Sequence, residues 1–235
     1  MAKKSIHFII QSKGGVGKSF LTYLIALKNQ FNDSVAFFDL DSSTETSVNQ
    51  LKFLKEKSRV YKISLLDERK KIIRDRLLTI IKKITQISEI QDFYLDFGAP
   101  ESEQLPALFS LDFKTEALQK FANQIDAEFI FHVVIAGNTA YVASMEYIQT
   151  VIQTLSGSFK IIAHANENSF YGFTDIFEEA KKYCEKQKVD FKPFGDIDTQ
   201  SHVGNQILNL IRQGVGIEDY DILEQLKIEE EFEKL

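Results

Sequence analysis

The sequence has few of the residues that build disulfide-rich, flexible or membrane-spanning proteins. Its 235 residues include one cysteine, three prolines and eleven glycines, and they contain no low-complexity run. A single cysteine, Cys184, excludes an internal disulfide framework and fits a reducing compartment. No apolar stretch approaches the length of a transmembrane helix, and the first apolar run is too short for a secretory signal. We therefore expect a soluble, cytoplasmic protein.

Length and hydrophobic content fit a single compact unit. A chain of this size fits one α/β domain with little room for a second, and 44% hydrophobic residues suffice for a core. No composition shift or linker marks a boundary. We therefore predict one domain over residues 1–235, in which residues 219–235 form a C-terminal acidic helix.

Charge is unevenly spread along the chain. The net charge is −6, yet the segment from Lys52 to Lys83 holds twelve Lys and Arg against four Asp and Glu, a net of +8. Such asymmetry indicates either a patch for an acidic partner such as DNA or a solvated helix face. The sequence leaves both interpretations open.

Short apolar runs alternate with longer helical patterns, which is typical of a mostly parallel, twisted α/β sheet with helices on both faces. The predicted strands are Ser5–Gln11, Ser34–Asp39, Arg59–Ile63, Phe93–Phe97, Phe129–Ile135, Lys160–His164 and a weaker one near Phe191–Gly195. The predicted helices are Lys18–Gln30, Leu66–Ile87, Thr115–Ile125, Thr139–Leu155, Thr174–Lys188, Gln200–Arg212 and Asp219–Leu235.

A glycine-rich loop follows the first predicted strand. It reads Lys13-Gly14-Gly15-Val16-Gly17-Lys18-Ser19 and leads into a helix that starts near Phe20. Glycines let the backbone wrap closely round phosphate oxygens, and such a loop aims N–H groups and the positive end of a helix at the anion. In this P-loop pattern Lys18 reaches the β- and γ-phosphates, and the Ser19 hydroxyl contacts Mg²⁺. The predicted nucleotide-binding residues are Gly14, Gly15, Val16, Gly17, Lys18, Ser19 and Phe20.

Polar side chains recur where the predicted strands end. Asp39 and Asp41 follow the second strand, Asp96 ends the fourth, and Asn166 follows the sixth. Ligands of doubly wound sheets bind at this edge, where a carboxylate can serve Mg²⁺ or orient a water molecule. An amide offers the donor and acceptor that an adenine edge requires. Each residue is also a common turn or cap residue, but beside a P-loop we favour function.

The loop departs from the general P-loop pattern, because Ser12 stands where glycine is expected. Its form K-G-G-x-G-K-[ST] resembles the deviant Walker A motif of the ParA/MinD family of ATPases. The resemblance implies ATP and Mg²⁺ as cofactors. It also implies that Lys13 contacts the nucleotide of a partner subunit, so that an ATP-dependent homodimer forms across it.

The same resemblance assigns roles to the strand-end residues. It implies that Asp41 positions the hydrolytic water, that Asp39 lies near the Mg²⁺ shell, and that Asp96 is the Walker B aspartate. Asn166 would read the adenine edge. The predicted catalytic residues are therefore Lys13, Lys18 and Asp41, and the predicted metal residues are Ser19, Asp39 and Asp96. Many relatives have proline after the second aspartate; Ser42 here leaves the conformation of the following switch segment open.

A narrower resemblance covers most of the chain. The P-loop, the D-x-D element, Asp96-Phe97-Gly98-Ala99, the strand Phe131 to Gly137 and the Asn166 loop resemble the plasmid branch that includes conjugal transfer protein TraL and stability protein StbB. This implies an ATPase, slow and stimulated by a plasmid-encoded partner, that acts in DNA partition, positioning or conjugal transfer.

Other functions stay open at this stage. One is a metabolic ATP-dependent enzyme of the same fold, similar to dethiobiotin synthetase, and another is a nucleotide-binding scaffold with little hydrolysis. A membrane role is disfavoured, since residues 218–235 hold eight acids and two lysines, the wrong sign for anionic lipid. His7, His132 and His164 lie in apolar strands and are expected to be packed rather than metal-binding. Gly137-Asn138-Thr139 is either a helix cap or a partner surface.

Overall fold

One seven-stranded parallel sheet organises the chain. The computed structural model describes residues 3–42, 49–55, 59–155 and 157–235. The strand order is β3-β2-β4-β1-β5-β6-β7. The strands are β1 Lys4–Ile10, β2 Val35–Asp39, β3 Val60–Lys62, β4 Asp92–Asp96, β5 Ala127–Ala136, β6 Lys160–Asn166 and β7 Asp190–Phe194. All pair in parallel, as the alternation of strands and helices predicts.

Helices cover both faces of the sheet. In the described residues they are α1 Lys18–Lys28, α2 Arg74–Ile84, α3 Ala99–Ala107, α4 Thr115–Gln124, α5 Tyr141–Leu155, α6 Thr174–Lys186, α7 His202–Gln213 and α8 Ile222–Lys234. Buried side chains of α1, α7 and α8 share one core with Ile9 and Phe37, and those of α2 to α6 share the other with Phe8 and Phe93. None of these described helices combines the length and apolarity needed to cross a bilayer.

The register of the central strands places the candidate residues together. Asp39, the last residue of β2, is the direct neighbour of Asp96, the last residue of β4. Ile9 of β1 is in turn paired with Asp96, so the P-loop leaves the sheet beside both carboxylates. On the other side of β1, Ala136 pairs with Asn166. The carboxyl edge therefore gathers residues that are far apart in sequence.

The predicted helix Leu66–Ile87 is wrong in its first half. Leu66 and Ile72 instead form an antiparallel bridge, and α2 starts at Arg74. The Asp67 carboxylate accepts hydrogen bonds from the backbone N–H groups of Arg69 and Lys71, which stabilises a turn in place of a helix. Apolar spacing alone does not reveal this competition.

A helix absent from the sequence-based prediction follows β4. It begins after Gly98, carries Pro100 in its first turn and Pro106 inside, and continues as a π-helix over Leu108–Asp112. Proline fits a first turn but disrupts a helix interior, so the segment lacks a clear helical signal. The other predicted elements are found with their ends shifted by a few residues. The C-terminal element is a 3₁₀ turn, Ile217–Asp219, followed by α8.

Candidate nucleotide site

The P-loop joins the carboxyl end of β1 to the start of α1. Gly15 and Gly17 have φ angles of 76° and 109°, a region that favours glycine. Gly17 also lies against Asn166, because a Cβ on Gly17 would be 2.7 Å from Asn166 Nδ2. The loop is braced from below by buried Gln11, whose Oε1 accepts the Lys13 backbone N–H at 3.2 Å. The Gln11 amide nitrogen donates to the Val134 carbonyl at 2.7 Å.

Lys18 is buried beneath the loop that it closes. Its ammonium donates to the Gln11 carbonyl at 2.9 Å. Burial lowers the pKa of the Lys18 ammonium, and the negative charges of Asp96, Asp41 and Glu101 oppose that shift. The three carboxylates therefore hold a cation at the place where a bound polyphosphate needs one. The geometry of Lys18 fits the phosphate contact that the P-loop pattern predicts.

The three predicted aspartates lie at or just after the carboxyl ends of β2 and β4, and the charges of Asp41 and Asp96 act on Lys18. Asp39 and Asp96 are 2% exposed, and Asp41 is half-buried. The Asp39 carboxylate accepts the backbone N–H of Asp41 at 3.0 Å. Asp39 thereby fixes the turn that carries Asp41 away from the sheet. The segment that follows Ser42, residues 43–48, lies outside the described residues.

The donor set fits Mg²⁺. Ser19, at the start of α1, contributes a hydroxyl, and Asp39 and Asp96 contribute carboxylates, the hard oxygen donors that this ion prefers. Glu101 Oε2 is buried beside them without a hydrogen-bond partner among the described residues. Those residues contain no cluster of three or more His, Cys, Asp or Glu arranged as a metal cage.

Asn166 and Phe20 line the opposite side of the loop. Asn166 Nδ2 donates to the Val16 carbonyl at 3.0 Å, and its Oδ1 is buried without a hydrogen-bond partner in the described structure. The Phe20 ring packs against Phe194 with centroids 5.9 Å apart. A Cβ on Gly195 would meet both the Phe20 ring and Asn166 Oδ1. This corner therefore combines an amide oxygen that has no hydrogen-bond partner in the described structure with an aromatic surface, two features that suit a base.

The remaining candidate residues lie in the P-loop and in the loop after β5. The Lys13 side chain is exposed on the outer side of the loop. Gly14 has no atom within 4 Å of the place where a Cβ would be. Gly137 donates its N–H to Ser169 Oγ at 2.8 Å, so the loops after β5 and β6 are joined. Asn138, with φ of 48°, lines a cavity of about 600 Å³ that Ser169, Tyr171 and Ile197 also line.

Solved structures share this fold. The MinC:MinD cell division protein complex of Aquifex aeolicus matches with a TM-score of 0.55 at 11% identity, over 96% of this chain and 92% of that chain. The MinD cell division protein of Aquifex aeolicus gives 0.52 at 12% identity, over 96% and 93%. A ParA family ATPase from Chlorobium tepidum TLS gives 0.50 at 11% identity, over 98% of each. The chain therefore shares its fold with these MinD and ParA family structures. No protein-family model and no curated protein matches its sequence.

Three residues that support the candidate site carried no sequence signal. Gln11 precedes the motif, and Glu101 lies in the helix that the prolines obscured. Glu231 of α8 is fully buried and accepts the backbone N–H groups of Gly195 at 2.5 Å and Asp196 at 3.2 Å. The acidic C-terminal helix is therefore partly a support for the base side of the site. Only the folded sheet brings these residues to it.

Proposed function

We propose that this protein is an ATP-binding and ATP-hydrolysing switch of the ParA/MinD type, which dimerises with ATP. The observation that carries the proposal is the buried Lys18 beneath a glycine loop, faced by Asp41, Asp96 and Glu101 at the carboxyl edge of the sheet. A cation enclosed by carboxylates under a phosphate-sized loop is suited to a nucleotide and serves no purpose in a plain turn.

The residues divide the work of phosphoryl transfer. Loop N–H groups and Lys18 bind the β- and γ-phosphates, and Phe20 and Asn166 bind the base. Mg²⁺, held through Ser19, Asp39 and Asp96, supplies charge neutralisation at the phosphates. Asp41 orients the attacking water. Exposed Lys13 reaches out of the subunit to the nucleotide of its partner, which makes dimerisation depend on ATP.

The cellular role follows the narrower resemblance. We propose that the switch acts in plasmid partition, positioning or conjugal transfer, within the TraL/StbB-like branch, with a partner protein that stimulates slow hydrolysis. Direct DNA binding through the segment Lys52–Lys83 is a separate part of this proposal. Glu56, Lys57 and Ser58 of that segment lie outside the described residues, as does the side chain of Arg74.

A metabolic ATP-dependent enzyme is the second candidate, and one observation favours it. The cavity of about 600 Å³ beyond the Asn166 loop could hold a small acceptor as well as a base. The two functions differ in what ATP turnover requires. An acceptor-dependent enzyme hydrolyses no ATP alone, whereas a switch turns over ATP slowly without any small molecule.

The deciding experiment measures the oligomeric mass of the protein without nucleotide, with ADP and with ATP·Mg²⁺. We expect a dimer in the ATP·Mg²⁺ sample only. The Asp41→Ala dimer should last longer, because its ATP is not hydrolysed. Lys13→Ala should stay monomeric and still bind nucleotide. Lys120→Ala, which changes an exposed lysine of α4, is the matched control and should dimerise normally.

Two results would contradict the switch. If the mass is the same with and without nucleotide in every variant, ATP-dependent dimerisation is excluded, and the scaffold and the metabolic enzyme are the functions that remain. Normal ATP-dependent dimerisation by Lys13→Ala removes the role of that lysine. Phosphate release measured with and without small acceptor molecules separates the scaffold, which shows little in either case, from the enzyme, which releases phosphate only when its acceptor is present.

A further inference from the structure

Two consecutive backbone N–H groups after β2 are held by carboxylates from two different elements. The N–H of Asp41 donates to Asp39 Oδ1 at 3.0 Å, a contact within one turn. The N–H of Ser42 donates to Glu101 Oε1 at 3.1 Å, a contact that spans 59 residues. The path that carries the Asp41 carboxylate is thus fixed on one side by its own strand and on the other by α3.

Glu101 is placed for this contact by burial and by a glycine. Its side chain is fully buried in the first turn of α3, where a carboxylate interacts favourably with the helix dipole. A Cβ on Gly98 would overlap Glu101 Oε2 and would lie 2.6 Å from Asp41 Oδ1. The oxygens of both side chains therefore occupy the space that Gly98 leaves open, and both act on Lys18.

The contact depends on one chemical group of residue 42. A serine there keeps its backbone N–H, whereas proline has none and cannot donate to Glu101. The hydroxyl of Ser42 plays no part in the bond, so alanine at this position preserves it. Substitutions at position 42 can therefore remove the hydrogen bond, with proline, or remove only the hydroxyl group, with alanine.

We propose that Glu101 is a positioning residue that holds the backbone at Ser42 and so directs Asp41 toward the phosphate end of the P-loop. The proposal rests on the proposed ATPase function and adds a residue to it. Glu101 acts through the backbone and contacts neither nucleotide nor water in this role. Without this hydrogen bond, nucleotide binding should stay intact and the step that Asp41 serves should slow.

The first test needs no catalysis. In nucleotide-free protein, amide hydrogen exchange at Ser42 should be slow in wild type, in Ser42→Ala and in Glu101→Gln, because all three keep donor and acceptor. Glu101→Ala should accelerate exchange by about tenfold or more, the change expected when a hydrogen bond to a charged group is removed. Glu103→Ala, an exposed residue of the same helix, is the matched control and should exchange as wild type.

The second test uses single-turnover and steady-state ATP hydrolysis. Glu101→Ala and Ser42→Pro should each lower kcat by about tenfold or more, and in Ser42→Pro, which leaves the Glu101 charge beside Lys18, the Kd of ATP should stay within about twofold of wild type. The double variant should be no worse than either alone, because both remove the same bond. Ser42→Ala should hydrolyse ATP nearly as wild type, and Glu101→Gln, which keeps the acceptor but loses the charge that acts on Lys18, should lose less activity than Glu101→Ala. Thermal unfolding of each variant identifies any that fail to fold.

The outcomes separate this proposal from the proposed function. Unchanged Ser42 exchange in folded Glu101→Ala overturns the positioning role, whatever the activity. A loss of turnover in Glu101→Gln as large as that in Glu101→Ala, with Ser42 still protected, also overturns it, since the charge would then act directly. A wild-type protein without ATP turnover contradicts the proposed function instead, and the exchange result still decides whether Glu101 holds Ser42.

Discussion

At the residue scale, Gly98→Ala tests the packing around the site, and Gly14→Ala is its control. A Cβ at Gly98 would meet Glu101 and lie 2.6 Å from Asp41 Oδ1, so Gly98→Ala must displace buried carboxylates. We expect it to lower the free energy of unfolding by about 1–3 kcal/mol, the usual cost of overpacking. Denaturant unfolding of nucleotide-free protein measures this.

Gly14→Ala is the matched variant. Its Cβ has no neighbour within 4 Å, so the unfolding free energy should stay near that of wild type. The added methyl group nevertheless lies in the phosphate loop and should weaken ATP affinity. Equal destabilisation by both substitutions would contradict the packing that the structure assigns to Gly98.

The sequence predicted the parts of the site that are contiguous or repeat at strand ends. Lys13 to Ser19 form one motif, and Asp39 and Asp96 become neighbours as soon as their strands pair in parallel. Glu101 could not be found this way, since its partner is 59 residues away and its helix contains two prolines. Long-range contacts made by irregular segments leave no periodic pattern in the sequence from which they could be predicted.

At the element scale, three strands carry a chain of hydrogen-bonded histidines across one face of the sheet. His7 Nδ1 lies 2.9 Å from His132 Nε2, and His132 Nδ1 lies 2.8 Å from His164 Nε2. His7 Nε2 contacts Asp92 at 3.5 Å. Because His132 uses both nitrogens within the chain, the rings form a line and not a converging metal cage. All three histidines are buried, as the sequence analysis expects.

The chain of histidines makes stability depend on pH. Burial lowers the pKa of His164 to about 3 and that of His132 well below its usual value, so both are neutral in the folded protein. The unfolded chain takes up these protons below about pH 6.5, and stability must therefore fall as the pH drops below that value. At pH 5 the loss should be about 2 kcal/mol per histidine relative to pH 7.

Denaturant unfolding at pH 5 and 7 measures this loss. His164→Gln keeps a donor for His132 but cannot titrate, so its stability should change less between the two pH values. His202→Gln, at an exposed position that opens α7, should show the wild-type difference. A wild-type stability that is flat from pH 7 to pH 5 would show that the buried rings are charged in the fold.

The same scale shows where periodicity misled. The apolar spacing of residues 66–87 is helical throughout, yet only Arg74–Ile84 forms a helix. Asp67 and the positive φ of Lys70 produce a turn, and the Gln104 side chain bonds to the backbone at Lys70 and Ile72. A local side-chain hydrogen bond and a contact with α3 together outweigh the helical preference of this segment.

At the scale of the whole molecule, the basic segment includes β3, an edge strand of the sheet, and most of α2, and we call its exposed cations the basic strip. Its exposed cations are Lys52, Lys55, Lys62, Arg69, Lys70, Lys71, Arg76, Lys82 and Lys83. Arg59 is an exception, because it is buried and donates to the carbonyls of Asn29, Gln30 and Asn32 at the end of α1. The segment therefore combines one structural arginine with a solvated positive surface on an acidic protein.

That surface makes DNA binding a quantitative prediction. Replacing Arg76, Lys82 and Lys83 of α2 by glutamine should weaken binding to random duplex and reduce its salt dependence by roughly 0.9 in log–log slope for each phosphate that the protein no longer neutralises.

The same three-charge change in α6, at exposed Lys181, Lys182 and Lys186, is the control. Both variants alter the net charge equally, so total charge predicts equal weakening, and a DNA-binding strip predicts weakening in α2 alone. If both variants bind as wild type, or if wild type binds no duplex in low salt with ATP, the strip is a solvated face and not a DNA-binding surface.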